Sequence, residues 1–473
     1  MTARDAALFE TIWSALDGGL SAPSLELSGT PGLPSVYDVG SFATATIAAA
    51  TAAVASVESA RSGEPARSVH VDRSHASLAF RCERFLSAEG WTLPPVWDPI
   101  AGDYLARDGW IRLHTNYRNH REAALRVLGG DGSREAVERA TRSFCAEDLE
   151  AAVVAEGGCV ARLRSAEEWA VHPQGAAVSR EPLFALTTRA ADPPSLGRDR
   201  RAPLAGLRVL DLTRVMAGPV CTRLLAAYGA EVLRLDPPGV VEVSAILPEM
   251  TAGKRRAALD LREASGRAAL DLRDAAGRAA FERLVAGAHV IVHGYRPDAL
   301  DRLGFGAARR RELNPALIDV SHDAYGWTGP WAHRRGFDSL VQMSTGIADT
   351  GRRAAGTDRP VPLPAQALDH GCGFLLAAAT GRALVRLLLD HQASEVRLSL
   401  ARTAKLLTDL GASGDMRGPD LLGADIDRWR ETAATAWGPV RRVRCPGRID
   451  GLIPQWTIPA GPLGTDAAEW TAA

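Results

Sequence analysis

The chain has 473 residues, 46% of them apolar and 23% charged, with a formal net charge of −1. That length accommodates two or three domains with sizeable cores, and the charge balance excludes a general nucleic-acid binder, which carries a basic surplus. Six cysteines, at 82, 145, 159, 221, 372 and 445, show neither a CxxC pair nor ligand-like spacing to histidine, the pattern of reduced thiols rather than of a disulfide framework or metal centre.

The N-terminus carries Asp5 and Glu10 and lacks the basic-then-apolar order of a signal peptide. The charge-poor stretch from Pro34 to Val57 is mostly Ala, Thr and Ser, and reads as too weakly apolar for a membrane span. Both features predict a cytoplasmic protein with no membrane partner. Lys254 and Lys405 are the only lysines, and the arginines that replace the rest present forks suited to phosphate groups.

In chain order, residues 34–80 hold an aspartate (Asp38), a long Ala-rich helix, a short polar break, and an alternating apolar strand that runs into a small-residue helix start. Asp192 to Pro203, with paired prolines, a glycine and a charge cluster, reads as a linker. Leu207–Leu212 then predicts a strand buried on both faces. Gly218-Pro219 opens a helix through Tyr228, Gly229 stops it, and Glu231–Leu235 predicts the next parallel strand. An 11-residue element occurs twice in tandem, AALDLREASGR at 257–267 and AALDLRDAAGR at 268–278, and predicts a lengthened surface helix or loop. Residues 364–407 repeat the order of 34–80, with Asp369 in place of Asp38.

The string PLAGLRVLDLTRVMAGPVCTRLLAAYGAEVLRLD at 203–236 resembles the opening of the class III CoA-transferase family, which includes formyl-CoA transferase and carnitine CoA-transferase. The resemblance implies an α/β fold: a Rossmann-like parallel sheet domain with a smaller α+β domain. DGWIRLHTNYRNHREAALRVLG (108–129) resembles the opening of the small domain, RSAEEWAVHPQ (164–174) its close, and residues 438–464 the family's returning tail. The expected layout is an Asp-helix-strand segment of a first, partial copy at 1–99, the small domain at 100–190, a linker at 191–203, the CoA-binding half at 204–407 and the tail at 408–473. This is the family's second half fused ahead of its first.

The family's nucleophilic aspartate is followed four residues later by glycine, and Asp369 with Gly373 fits. In the family that carboxylate attacks the thioester, and transfer proceeds through mixed anhydrides and an aspartyl-CoA thioester. A helix cap is the other reading of Asp369. Asp38 has Phe42 at the glycine's place and is read as a cap. The resemblance assigns the CoA side to Arg214, Val215, Met216 and Ala217 at a helix N-terminus, and to Tyr295 and Arg296, with Gly294 where asparagine is usual. Arg302 either reaches a phosphate or lies solvated. Related α-methylacyl-CoA racemases place histidine where Phe337 stands, and phenylalanine cannot move a proton. His333 is read as a loop histidine; His114 and His120 are read as surface residues.

The expected activity is transfer of CoA between carboxylic acids. The expected substrates are an acyl-CoA thioester and a carboxylic acid acceptor, with no tightly bound cofactor and no metal, in a homodimer. The alternatives are a 2-methylacyl-CoA racemase and an inactive CoA-binding protein.

Overall fold

The computed structural model describes residues 3–16, 21–196, 201–259, 275–413, 416, 420–421 and 423–471. Its largest sheet has seven strands in the spatial order Lys254–Ala258, Glu231–Asp236, Arg208–Leu212, Val290–His293, Ile318–Asp323, Gln392–Ser399 and Ala185–Ala190. The first six are parallel, and numbered along the chain they run 3-2-1-4-5-6, the doubly wound order. The strands at 208–212, 231–236 and 290–293 are buried almost throughout, as their Val/Leu/Ile-rich runs require of a sheet covered on both faces, with Asp211 and Arg234 among the buried charged exceptions. Strand order reverses between 208–212 and 290–293, so the loops after those two strands, 213–217 and 294–297, open the crevice where such sheets bind ligands.

The seventh strand, Ala185–Ala190, pairs antiparallel with 392–397. The sequence reading gave these residues to the small domain; they form the large sheet's edge instead.

The internal repeat is visible as structure. Helix Val39–Ser62 leads to strand Val69–Asp72 and helix Arg73–Ala79, and helix Ala367–Asp390 leads to strand Gln392–Ser399 and helix Leu400–Thr408. The two 24-residue helices pack on each other. A Cβ on Gly371 would lie 2.3 Å from Phe42, and one on Gly381 2.8 Å from Ala53, so glycine is what lets the backbones approach. Both helices are long and apolar enough to cross a membrane, a property the sequence reading denied to residues 34–57, but here they are buried against protein.

Strands Gly102–Leu105, Trp110–Leu113 and Val160–Arg162 form a small antiparallel sheet, which with helices Arg118–Leu128, Arg134–Thr141 and Ala146–Ala155 encloses its own core around Tyr104, Ile111, Leu149 and Val160. The tail touches both halves: Arg448–Ile449 pairs with Val69–His70, and Asp466 bridges Ala257 at the edge of the large sheet. Of the tandem 11-residue elements, residues 260–274 lie outside the described residues.

Candidate active site

A cavity of about 490 Å³ lies at the sheet's reversal point. Its wall contains Arg214, Val215, Met216 and Ala217 from one strand tip, Gly294, Tyr295 and Arg296 from the next, and Asp369. Tyr117, Asn119 and His120 of the small domain close the same cavity within the one chain. Seven of the eight residues singled out from the sequence are thereby brought together. Arg302 is the exception: it lies outside the lining, exposed, and pairs with Asp298 one helical turn away.

The 213–217 loop owes its shape to Asp211. This fully buried carboxylate accepts from the Thr213 N–H at 2.9 Å, the Thr222 hydroxyl at 2.6 Å and Lys254 Nζ at 3.0 Å, tying strand, loop and following helix together. Burial lowers the Lys254 pKa to about 8. Gly218 is forced, because a Cβ there would lie 2.3 Å from Thr213. Gly373 plays the same part for Asp369. Its missing side chain admits the Ala217 carbonyl, 2.6 Å from where a Cβ would stand, and so seats the Asp369 helix against the 213–217 loop.

Asp369 sits in the first turn of helix Ala367–Asp390. Asp338, which sequence reasoning passed over, accepts the N–H groups of Leu368 (2.8 Å) and Asp369 (3.0 Å) and is itself held by the Gln342 amide. Burial, then the charges of Asp338 and Glu83, pushes the Asp369 carboxyl well above the usual range; burial raises Asp338 to about 6. Asp38 is elsewhere: it caps its own helix by accepting the Ser41 N–H at 2.9 Å, pairs with Arg4 and lines no part of the cavity.

His114 and His120 correct the sequence reading, for both are buried. The His114 ring stacks on Phe337 with centroids 3.6 Å apart, and His120 meets Phe337 at 5.8 Å. Burial lowers His114 to about 3 and His120 to about 4, so both are neutral at physiological pH. His333 is exposed, as a loop histidine should be. His322 also borders the cavity. A Cβ on Gly294 would lie 2.8 Å from its Nε2, which has no hydrogen-bond partner, so the ring fills the space that a larger residue at 294 would claim.

Arg296 is half-buried in the wall and its side chain makes no hydrogen bond or ion pair among the described residues, leaving the guanidinium free for an anionic ligand. Cys82, Glu83 and His370 offer metal-type ligand atoms within 4.8 Å of one another. The Arg223 guanidinium lies 3.6 Å from the Cys82 sulfur and burial holds that thiol protonated, an environment hostile to a cation.

Residues 204–422 match the model of CoA-transferase family III. The chain is 35% identical over 199 residues to the acetyl-coenzyme A transferase nodX of Hypoxylon pulicicidum, covering 41% of this chain and 32% of that one. It is 31% identical over 160 residues to a formyl-CoA:oxalate CoA-transferase of Escherichia coli, covering 31% and 36%. Among solved structures, a hypothetical protein of Mycobacterium tuberculosis aligns with a TM-score of 0.39 at 30% identity, over 44% of this chain and 57% of that one. The chain spans between 32% and 54% of the length of the first curated relatives it matches. Residues 204–422, which carry Asp369 and the strand-tip loops, are thus the part of the chain that is similar to CoA-transferase family III.

Proposed function

We propose that the protein transfers coenzyme A between carboxylic acids with Asp369 as nucleophile. The observation that carries this reading is that the Asp369 carboxyl opens onto the same cavity as the 214–217 loop and the unpaired Arg296 guanidinium. In the proposed sequence, the Asp369 carboxylate attacks the thioester carbonyl, the C–S bond breaks, and CoA leaves as thiolate, giving a mixed anhydride. The thiolate then attacks the aspartyl carbonyl and releases the first carboxylic acid as its anion. The acceptor carboxylate displaces CoA from the aspartyl thioester, and returning thiolate attacks the acceptor's acyl carbon, which frees Asp369. Closure of the small domain over the cavity keeps water from the anhydrides. The same reading takes the enzyme to act in the cytoplasm as a homodimer, the commonest closed assembly, which sedimentation would measure.

Mass spectrometry after incubation with a panel of acyl-CoA thioesters tests the mechanism. A covalent adduct on Asp369 is expected; turnover without any aspartyl adduct would refute it.

One observation favours a second reading. Asp369 tends to hold a proton while His120 and His322, both lowered to about 4 by burial, are neutral in the same cavity, the arrangement for moving a proton α to a thioester carbonyl. Exchange of that proton with solvent deuterium, without CoA transfer, would select it.

A further inference from the structure

Val215 has φ 62°, in the left-handed region that β-branched residues leave unless something holds them there. The hold is Glu242, a buried residue in the turn that follows strand Glu231–Asp236. Its Oε2 accepts the Val215 N–H at 3.1 Å and Arg234 Nη2 at 3.1 Å. Its Oε1 accepts the Tyr117 hydroxyl at 2.6 Å and the Val243 N–H at 2.9 Å. Burial works to raise the Glu242 carboxyl, but Arg234 and these donors outweigh it and the net shift is downward, so the group is an anion. Val215 and Tyr117 both line the cavity, one from the sheet's reversal point and the other from the small domain.

We infer that Glu242 is the positioning residue that builds the coenzyme A cavity: one carboxylate oxygen fixes Val215 in its left-handed turn and the other fixes the small domain of the same chain over it. The ligand named here rests on the proposed function; the clamp itself does not. Glu242 need touch no ligand. It acts through two residues that line the cavity, and the two effects separate by mutation. Once the carboxylate is lost, the Val215 N–H has no acceptor, and Val215 relaxes out of its left-handed turn and displaces the cavity wall it forms. Glycine adopts the left-handed conformation without strain, so Val215→Gly relieves this defect and no other. Tyr117→Phe removes only the bond to the small domain.

Two measurements test the clamp. The first is calorimetric binding of coenzyme A to wild type, Glu242→Ala and Glu242→Ala/Val215→Gly. Glu242→Ala should weaken binding on the order of ten- to a hundredfold, the scale of one strained residue, and the added Val215→Gly should recover most of that loss. A double variant as weak as the single one would overturn the backbone role. The second is amide hydrogen exchange on the unliganded proteins, with Glu242→Gln included in case the alanine variant fails to fold. Exchange should quicken at 214–217 and 108–129 in the Glu242 variants, and only at 108–129 in Tyr117→Phe. Unchanged exchange in every variant would overturn the clamp. A wild type that binds no coenzyme A, with the exchange pattern as expected, would sink the functional reading and leave the clamp standing.

Discussion

The backbone N–H of Asp369 donates to Asp338 Oδ2 at 3.0 Å, so the candidate nucleophile and the cap of its helix are two neighbouring carboxyl groups. Both are raised, and the sign of the consequence follows. The native state keeps protons that the unfolded chain gives up near pH 4, so stability falls as pH rises. The Asp338 share is lost between about pH 4 and pH 6. The Asp369 share extends to higher pH. Urea unfolding from pH 4 to 8 should show this decline, and Asp369→Asn should remove its upper part. A variant with the wild-type slope would count against the raised Asp369.

Asp369→Ala should lower transfer on the order of 10³-fold or more while leaving coenzyme A binding within a few-fold of wild type. Asp38→Ala should leave transfer intact, because Asp38 lines no part of the cavity. The reverse outcome would reassign the nucleophile. Turnover assays run beside equilibrium binding decide between them.

Arg296→Ala should weaken coenzyme A by about 1.5–3 kcal/mol, the worth of a charge-assisted hydrogen bond to phosphate. A ligand analogue without the nucleotide should lose less. Equal losses would point to a disturbed fold.

Gly294→Asn should strain the wall, since its Cβ alone would lie 2.8 Å from His322 Nε2. Overpacking of this kind costs about 1–3 kcal/mol. His322→Ala in the same chain should relieve most of it. Thermal unfolding of the two single variants and the double variant closes the cycle.

The elements that were legible in the sequence are those set by local pattern. Leu207–Leu212, the helix after Met216 and the stop at Gly229 follow from burial, proline and glycine chemistry within a few residues. The repeated helix-strand order was legible too, and so was Asp369 at a helix start, with Gly373 explained by the close approach of Ala217. What escaped depends on residues far apart in the chain. Asp338 reaches across 31 positions to Asp369, and Glu242 reaches across 125 to Tyr117. His114 is buried because Phe337 stacks on it, which no local periodicity encodes. Ala185–Ala190 reads as polar because an edge strand faces solvent on one side, so its run of exposed threonines hid its pairing.

The pairing of the two 24-residue helices also bears on how the chain is made. Helix Val39–Ser62 leaves the ribosome with the length and composition of a membrane span, and the partner that buries it starts at Ala367. At ordinary elongation rates the wait is about 15–60 s. Ala3–Ala15, Val69–Asp72 and Arg73–Ala79 cover part of the helix early, but throughout the wait the apolar face that Ala367–Asp390 will bury has no native mate. Synthesis therefore holds this protein in its most vulnerable state for longer than most folding steps last, and chaperone demand should fall if the order of the two halves were reversed so that the Ala367–Asp390 helix and its own sheet came first.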